Sequence, residues 1–493
     1  MQTPPDSEPD ASYHEPGEDE ADSENAAIDL DAGGAAQTVS GPGSSSNKAK
    51  ALMLHRRRNA QRNPKTPESF KDEPLVVHKP SSAANRLRLE FISMMERTHR
   101  IGTWMNLLPS RIGKSEAIDS AAKAIVKAVE HANLNTAITQ DSCLGSYSKA
   151  ITTLRDDMER QVSSDDLLLT VALLVTFERV FAYSSVPLRS HMHGVVAIMM
   201  GQGKSRKPPS EIARALQYQF WAVAFIGPCV MGVPSPFETP RWLHAEPVLL
   251  AEDDMKAPWK VVHRLRKISN QLFIRLPRLI LLVKGVQTDP KPEKVAEAIR
   301  LAKELLEIED IDAESDILHH VQIQKTDDSD STSYSMNFST VPEFEAAAHY
   351  WSTHIMLHRL SWRLLGLFPT KSSELDLRSK PLLHAATSRM CANILMAARW
   401  GLTKGEVGES CIIMGLVATW GALNDYDVFA SRGITPTRAR MLLKQYGEKI
   451  MRPTGSNTLE ESGQRLEAAA ELFAGGQSSG VLAFTFSRPA ANG

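Results

Sequence analysis

The chain has 493 residues, of which 42% are hydrophobic and 23% are charged, with 56 Lys and Arg against 58 Asp and Glu. These values lie close to globular averages and exclude a fibrous chain or one that is disordered throughout, and the length allows up to about three domains or one large domain with tails. The four cysteines are widely separated and form no CxxC pair, which excludes a cysteine zinc site and predicts buried thiols in a reducing compartment.

The N-terminal stretch is strongly acidic. Residues 1–46 contain eleven acidic residues and no Lys or Arg. Bulky apolar residues are few here, so the stretch cannot bury enough apolar surface to offset the entropy of ordering. We therefore predict a disordered acidic tail over residues 1–47. The alternatives for its role are a plain solvated tail, a segment that attracts basic partners electrostatically, and an activation segment. It resembles neither a signal peptide nor a transit peptide, so we expect no secretion or organelle import.

A basic stretch follows the acidic one, and we interpret residues 48–80 as a basic linker. Clustered positive charge suits an importin groove or nucleic-acid phosphates, since both are acidic, but seven charges cannot read a base sequence by themselves. A plain solvated linker is the remaining alternative. The candidate residues for nuclear import or phosphate contact are Lys48, Lys50, Arg56, Arg57, Arg58, Arg62 and Lys65, with no acidic residue among them.

From about residue 81 the apolar residues recur with the period of amphipathic helices. The clearest segment carries apolar residues at successive offsets of 3, 4, 3 and 4 between Leu144 and Met158. A hydroxyl cap and first-turn carboxylates at 163–166 open an apolar helix that continues to Tyr183, which we expect to be buried centrally. Further helices are predicted near 87–95 and 118–129 and at 188–200, 210–226, 258–284 with a kink or break at Pro277, 292–309, 342–366, 381–400, 407–424, 436–450 and 458–473.

Strand-like alternation occurs almost nowhere outside two short runs, near Val321–Ile323 and Tyr334–Phe338, which flank a predicted exposed loop at 327–331. The predicted fold class is therefore all-α, with a large many-helix domain over residues 81–455 and a short helix and flexible tail over 456–493. The longest apolar runs, such as 167–177, are too short to span a bilayer, so we predict no membrane association.

Residue types that carry catalysis do not form a recognised motif. His354 and His358 are one helical turn apart, a spacing that can bind a metal, and His349 is nearby. The general-base glutamate of a zinc hydrolase is missing between them, so we interpret these side chains as core or boundary histidines. His191 and His193 lack supporting carboxylates or cysteines. The sequence thus predicts no catalytic residue, no cofactor, no metal and a protein that is not an enzyme.

Several short motifs follow one another in order between residues 70 and 243. They are Phe70-Lys71-Asp72-Glu73, Leu107-Leu108-Pro109, an Ala-rich helix from Ala117 to Val129, the helix from Tyr147 to Met158, Asp165-Asp166-Leu167-Leu168-Leu169, the helix from His191 to Met199 that closes with Gly201-Gln202-Gly203, and Pro236-Phe237-Glu238-Thr239-Pro240-Arg241-Trp242. In this order they resemble the fungal-specific regulatory domain found C-terminal to binuclear zinc-cluster modules in fungal transcription factors. The resemblance covers about residues 68–450. We expect Trp242 to fill a groove between helices.

One feature of the resembled family is missing. Its six-cysteine zinc cluster precedes the basic linker, whereas no cysteine occurs here before Cys143. Sequence-specific DNA binding is therefore not implied, and either the protein regulates transcription through a partner or the gene model lacks a first exon.

The resemblance accordingly implies a nuclear transcriptional regulator of a fungal pathway, with a secondary-metabolite gene cluster as the first choice. Its expected partners are other transcription factors or coregulators, and it is expected to contact DNA indirectly or weakly. Both a homodimer and a heterodimer remain as alternatives. The alternatives are a cytoplasmic helical scaffold and a helical enzyme or ligand-binding protein that acts on a hydrophobic metabolite. The core for the last of these would be lined by Trp221, Phe225, Trp351 and Trp362.

Overall fold

Apolar residues at helical spacing form buried helix faces throughout the part of the chain that the structure describes. A computed structural model describes residues 82–97, 103–132, 138–160, 164–181, 185–201, 208–245, 257–326, 332–425, 434–451 and 458–476. These residues belong to one compact unit that begins at Pro80. The predicted acidic tail, the basic linker and the loop at 327–331 lie outside the described residues.

The described residues contain eighteen α-helices, a 3₁₀ helix at Thr103–Leu107 and two short strands. The fold is all-α, as the sequence predicts. The helices are α1 (Ala83–Arg97), α2 (Glu116–Ala132), α3 (Gln140–Glu159), α4 (Ser164–Phe181), α5 (Ser185–Gly201), α6 (Glu211–Gln219), α7 (Trp221–Ala224), α8 (Ile226–Met231), α9 (Pro240–Leu243), α10 (Ala257–Thr288), α11 (Pro292–Leu306), α12 (Ile311–His319), α13 (Val341–Leu367), α14 (Pro369–Glu374), α15 (Lys380–Thr403), α16 (Gly405–Asp425), α17 (Pro436–Met451) and α18 (Leu459–Phe473).

The two strands, β1 (Gln322–Lys325) and β2 (Tyr334–Asn337), pair antiparallel between α12 and α13. Their register places Ile323 opposite Met336, and β2 packs on α15. Both strands lie where the sequence shows its two short runs of alternation. They form a hairpin at the edge of a helical body, so the all-α classification stands.

Capping side chains fix where several helices begin. At α13 the Thr340 hydroxyl accepts a hydrogen bond from the Glu343 backbone N–H at 3.3 Å, and the Glu343 carboxylate accepts one from the Thr340 N–H at 3.0 Å. Thr458 and Glu461 form the same reciprocal pair at α18. Because the first four N–H groups of a helix have no partner within the helix, the Thr-x-x-Glu spacing satisfies two of them and marks these starting points.

Buried apolar side chains form two clusters. The N-terminal core lies mainly among α1 to α6 and α9, and the C-terminal core lies mainly among α8 and α10 to α18. Helix α10 contributes to both, because Phe273 belongs to the C-terminal core and its neighbour Ile274 to the N-terminal core. The predicted central burial of the apolar helix α4 is confirmed. Trp242 is 1% exposed and packs edge-on against Phe237, as its predicted role requires.

Helix α13 runs through the middle of the C-terminal core. Every side chain from Glu343 to Ser361 is buried, and the helix packs against α10, α11, α15 and α16. This buried length carries three histidines and Arg359. Buried polar groups destabilise the fold unless they are hydrogen-bonded or paired with an opposite charge. The polar side chains of α13 therefore require polar neighbours from other helices.

Two glycines in α16 allow close approaches that a larger residue would block. A Cβ added to Gly408 would lie 1.9 Å from the carbonyl oxygen of Gly401, where α15 and α16 meet. One added to Gly421 would lie 1.9 Å from Nη1 of Arg359. Gly421 therefore provides the space in which the buried guanidinium of Arg359 lies.

Two predicted helices differ from those observed. The segment predicted as one helix over 210–226 is divided into α6, α7 and α8. Phe220 adopts φ −96° and ψ 39°, outside the helical region, between α6 and α7, and Phe225 at φ −118° and ψ −65° lies between α7 and α8. Of the kink or break predicted at Pro277, the break does not occur, since α10 continues through it as a single helix of 32 residues. Pro277 cannot bond the carbonyl of Phe273, but Leu276 and Leu279 are fully buried on either side and this packing maintains the helix.

Candidate functional site

The predicted import or phosphate-contact residues, between 48 and 65, lie outside the described residues. Their role stays a prediction. Within the described residues, several buried ionisable side chains have a polar atom without a hydrogen-bond partner. Three polar clusters between helices include some of these side chains.

The largest cluster lies where α13 passes the connection between α11 and α12. We call Glu309, His354 and His358 the histidine–glutamate cluster. The side chain of Glu309 is 2% exposed and both histidines are 0% exposed. The two imidazole centroids are 6.2 Å apart, since the residues are one turn apart on α13.

Hydrogen bonds fix which nitrogen of each imidazole carries the proton. Nδ1 of His354 lies 2.8 Å from the carbonyl oxygen of Tyr350, which can only accept, so Nδ1 donates. Nδ1 of His358 lies 3.0 Å from the Thr387 hydroxyl, whose own hydrogen is donated to the carbonyl of Leu383. Both Nε2 atoms are therefore bare acceptors in the neutral rings, and both lack a hydrogen-bond partner.

Glu309 supplies a third acceptor to this cluster. Its Oε2 accepts a hydrogen bond from Arg378, while its Oε1 has no hydrogen-bond partner and lies 3.9 Å from Nη2 of Arg389. Arg389 is held by Glu314, to which its Nη2 donates at 2.7 Å. Glu314 also accepts from the indole N–H of Trp351 at 3.0 Å. The ion pairs around the cluster thus hold Arg378 and Arg389 in place. At the centre of the cluster, hydrogen-bond acceptors outnumber donors.

Burial determines the charge states in this cluster. It lowers the pKa of His358 to about 3 and also lowers the pKa of His354, so both rings are neutral near pH 7. Burial alone would raise the pKa of Glu309, but attraction to His358 and His354 in their protonated forms and to the Arg378 guanidinium outweighs it and holds the pKa below its ordinary value. The cluster therefore combines one carboxylate with two neutral imidazoles.

A second buried cluster joins α6, α10 and α13. Arg266 donates to Glu345 at 2.6 Å, and its guanidinium lies 5.2 Å from the centre of the Tyr218 ring. The Tyr218 hydroxyl is 3.3 Å from Nδ1 of His349, a ring enclosed by aromatic neighbours that include Phe273. Burial lowers the pKa of His349 to about 4. This cluster carries its charge as a salt bridge and keeps the histidine neutral.

A third polar cluster lies in the N-terminal core, between α3, α4 and α5. The Tyr147 hydroxyl is 2.9 Å from Nε2 of His191, and the Tyr147 ring stacks on Phe177. Burial raises the pKa of Glu178, whose Oε2 has no hydrogen-bond partner. His191 thus has a structural partner, in line with the interpretation of this motif from sequence.

None of these clusters is arranged as a metal centre. Among the described residues, no group of three or more His, Cys, Asp or Glu side chains is placed to hold a metal ion. The four cysteines are buried and unpaired, as predicted. The four aromatic residues considered as a cavity lining are instead packed against core neighbours, as in the stacking of Trp221 on Phe273 at 5.0 Å.

One described helix is long and apolar enough to cross a membrane by length and composition. It runs from Val407 to Asp425, within α16, and 78% of this segment is buried inside the fold. A helix over 407–424 is predicted from sequence, but not as a membrane-spanning candidate. Its burial among α13, α15 and α18 matches a core helix.

Among the described residues, seven apolar side chains line a small depression that sequence periodicity does not indicate. Residues from three helices form it. They are Ile226 and Val230 of α8, Ile413, Met414 and Val417 of α16, and Leu472 and Phe473 of α18.

The burial of the histidines is predicted from sequence, but their charged partners are not. Glu309, Arg378 and Arg389 lie outside α13 on separate segments, so no helical spacing connects them to the histidines. The available signal is the presence of polar residues on a helix that is otherwise apolar on all sides, which requires buried partners from elsewhere.

Comparison of the chain with models of protein families, with curated proteins and with solved structures finds no match in any of the three.

Proposed function

We propose that this protein is a nuclear regulator of transcription that acts through partner factors. The observation that carries the proposal is the run of seven basic residues between 48 and 65, without an acidic residue, attached to an all-α body. A dense positive run of this kind suits the acidic groove of an import receptor. The acidic residues 1–46 precede it and give the N-terminal part the charge pattern of an interaction segment.

The resemblance of the helical blocks to fungal regulatory domains supports a role in a fungal pathway, with secondary-metabolite genes as the first choice. Because residues 1–142 contain no cysteine, these residues cannot form a six-cysteine zinc cluster. We therefore assign DNA recognition to partner transcription factors or coregulators, with weak direct contact through phosphates.

The arrangement of the polar clusters supports an interaction protein rather than an enzyme. The charges of the first two clusters are paired beneath packed helices, as in Arg389 with Glu314 and Arg266 with Glu345, whereas Tyr147 and His191 of the third cluster are part-buried. General acid–base catalysis needs a proton donor or acceptor within hydrogen-bond reach of a substrate. The histidines of the first two clusters are 0% exposed, so they do not present a proton donor or acceptor at the protein surface.

Removal of three adjacent charges tests the import role. We expect a fluorescently tagged chain carrying Arg56→Ala, Arg57→Ala and Arg58→Ala to lose most of its nuclear signal and accumulate in the cytoplasm of fungal cells, because an import receptor binds these charges directly. The measurement is the ratio of nuclear to cytoplasmic fluorescence.

A control variant removes the same charge from the surface of the body, at Lys149, Lys291 and Lys371, whose side chains are exposed and form surface ion pairs. This variant should keep the wild-type ratio. An unchanged ratio in the Arg56–Arg58 variant would show that import does not depend on the basic run.

A second candidate function, binding of a small molecule inside the body, is favoured by one observation. The histidine–glutamate cluster presents three buried acceptors, Nε2 of His354, Nε2 of His358 and Oε1 of Glu309, without a matching donor. A small compound with amine or hydroxyl donors would complement them, since a buried polar atom gains about 1–3 kcal/mol when its missing hydrogen bond is supplied.

Native mass spectrometry tests this candidate directly. If the cluster holds a ligand, the protein purified from fungal cells should carry a stoichiometric added mass that disappears in His354→Phe. A variant in the other polar cluster, His349→Phe, should retain the added mass. A native mass equal to that of the bare chain in the wild type contradicts ligand binding.

A further inference from the structure

Three side chains of the N-terminal core connect a half-buried imidazole to a fully buried carboxyl. Tyr147 of α3 and His191 of α5 are half-buried, whereas Glu178 of α4 is 2% exposed. The Tyr147 hydroxyl lies 2.9 Å from Nε2 of His191 and is also within hydrogen-bonding reach of the Glu178 carboxyl. A single hydroxyl group therefore bridges the imidazole and the carboxyl.

The carboxyl of Glu178 is poorly compensated when it is ionised. Its Oε2 has no hydrogen-bond partner. Burial raises the pKa of Glu178, and the hydrogen bond with Tyr147 offsets this rise only in part. A carboxylate buried without a cation costs free energy, which is recovered when the group takes up a proton. Glu178 is therefore a proton acceptor that needs a route to solvent.

The charged groups of the surrounding helices act elsewhere. On α2, Lys127 donates to a hydroxyl of α3 at 2.8 Å, and Nδ1 of His131 lies 2.9 Å from a backbone carbonyl oxygen. The positive charge of Arg179 acts on Cys411 of α16, where it opposes the rise in pKa that burial causes. Helix α6 meets the opposite end of α4, where its capping serine donates to an aspartate at 2.6 Å. The titratable partners of Glu178 are thus the tyrosine and, through it, the histidine of α5.

The hydrogen bonds that join these three side chains can run in either direction. With Glu178 ionised, Nε2–H of His191 donates to the Tyr147 oxygen and the Tyr147 hydroxyl donates to the carboxylate. With Glu178 protonated, the carboxyl donates to Tyr147, and the hydroxyl donates to a bare Nε2 because the neutral ring then carries its proton on Nδ1. Both arrangements satisfy the hydroxyl, which offers one donor and accepts as well.

We propose that His191 and Tyr147 form a proton relay that delivers protons from solvent to the buried carboxyl of Glu178. A proton from solvent bonds to Nδ1 of His191, the proton on Nε2 moves to the Tyr147 oxygen, and the hydroxyl proton of Tyr147 moves to Glu178. One proton is taken up in total. The ring is neutral before and after the transfer, in agreement with the burial that lowers the pKa of His191. This inference does not depend on the nuclear role proposed above.

The relay makes the packing of α3, α4 and α5 sensitive to pH. Because the pKa of Glu178 is raised in the folded state, its contribution to stability is greatest at low pH and is lost as the pH rises through that pKa. Glu178→Gln is neutral at every pH and removes this dependence. The gain in unfolding free energy of the variant over the wild type, measured by urea unfolding, should shrink as the pH is lowered from about 8 to about 5.

Nitrogen NMR of the full-length protein with labelled histidines tests the relay itself, because the shifts of the ring nitrogens identify the tautomer. We expect His191, assigned by the loss of its signals in His191→Gln, to change from the Nε2–H to the Nδ1–H form as the pH is lowered. The midpoint should equal that of Glu178 protonation, measured as the infrared carboxyl band that Glu178→Gln removes. In Tyr147→Phe, which keeps the ring that stacks on Phe177, the tautomer should no longer follow this midpoint.

Two control variants leave the relay intact. His193→Gln changes an exposed histidine of the same helix, and Tyr334→Phe removes the hydroxyl of a tyrosine that is 50% exposed. Both should keep the tautomer change and its midpoint. A His191 ring that stays in one tautomer, or becomes a cation, while Glu178 takes up its proton overturns the proposal. So does an infrared carboxyl signal that Glu178→Gln leaves unchanged, since Glu178 then stays ionised.

Discussion

We expect the substitution Arg359→Met to lower the free energy of unfolding by about 3–5 kcal/mol, the range typical of breaking a buried ion pair by removing one partner. Arg359 is 1% exposed on α13. Its Nε donates to Asp425 at 2.6 Å and its Nη1 to the carbonyl oxygen of Ala470 at 2.8 Å. One guanidinium therefore joins the end of α16 and the last turns of α18 to the central helix. Urea unfolding followed by circular dichroism measures the change.

The matched control is Arg264→Met, which breaks an ion pair of similar length at the surface. Arg264 donates to both carboxylate oxygens of Asp310 at 2.7 Å, but its side chain is 44% exposed. Water solvates both charges when an exposed pair is lost, so the decrease should stay below about 1 kcal/mol. Equal decreases for the two variants would mean that burial does not determine the importance of Arg359.

We also expect acid to destabilise the fold through the histidines of α13. In the folded state the pKa of His349 is about 4 and that of His358 about 3, below the ordinary value near 6.5. Below pH 6.5 the unfolded chain therefore binds more protons than the folded one, and stability falls as the pH drops toward 4. At pH 5 each of these two histidines should reduce the free energy of unfolding by about 2 kcal/mol.

Comparison of variants isolates this effect from the carboxylates that titrate in the same range. In His349→Phe, the loss of stability between pH 7 and pH 5, measured by urea unfolding, should be about 2 kcal/mol smaller than in the wild type. The variant places a phenyl ring among the Trp221 and Phe273 rings. The control His320→Gln changes an exposed histidine and should keep the wild-type difference. A full wild-type pH dependence in His349→Phe would exclude this histidine as the source.

The helices were predictable from sequence wherever one local pattern determines them. The apolar run of α4 and the Thr-x-x-Glu starts of α13 and α18 depend on contacts within a few residues, which a periodicity analysis captures. The division of 210–226 into three helices was not predictable, because it follows from the backbone conformations of two buried residues, Phe220 and Phe225. The continuity of α10 through Pro277 likewise depends on tertiary packing that outweighs a local preference.

The polar clusters were predictable only in part. The burial of His354 and His358 follows from their apolar neighbours on one helix. Their relation to Glu309 does not, because that carboxylate reaches them from the connection between two other helices. The contact between Arg359 and Ala470 spans 111 positions in the chain. Such pairs require the packing angles of several helices, which a single sequence does not specify.

Helix α10 has a further consequence because Phe273 and Ile274 are adjacent and serve different cores. Any shift of this helix moves side chains in both cores at once. We therefore expect substitutions at Phe273 and Ile274 to influence each other energetically, so that their effects on stability do not sum.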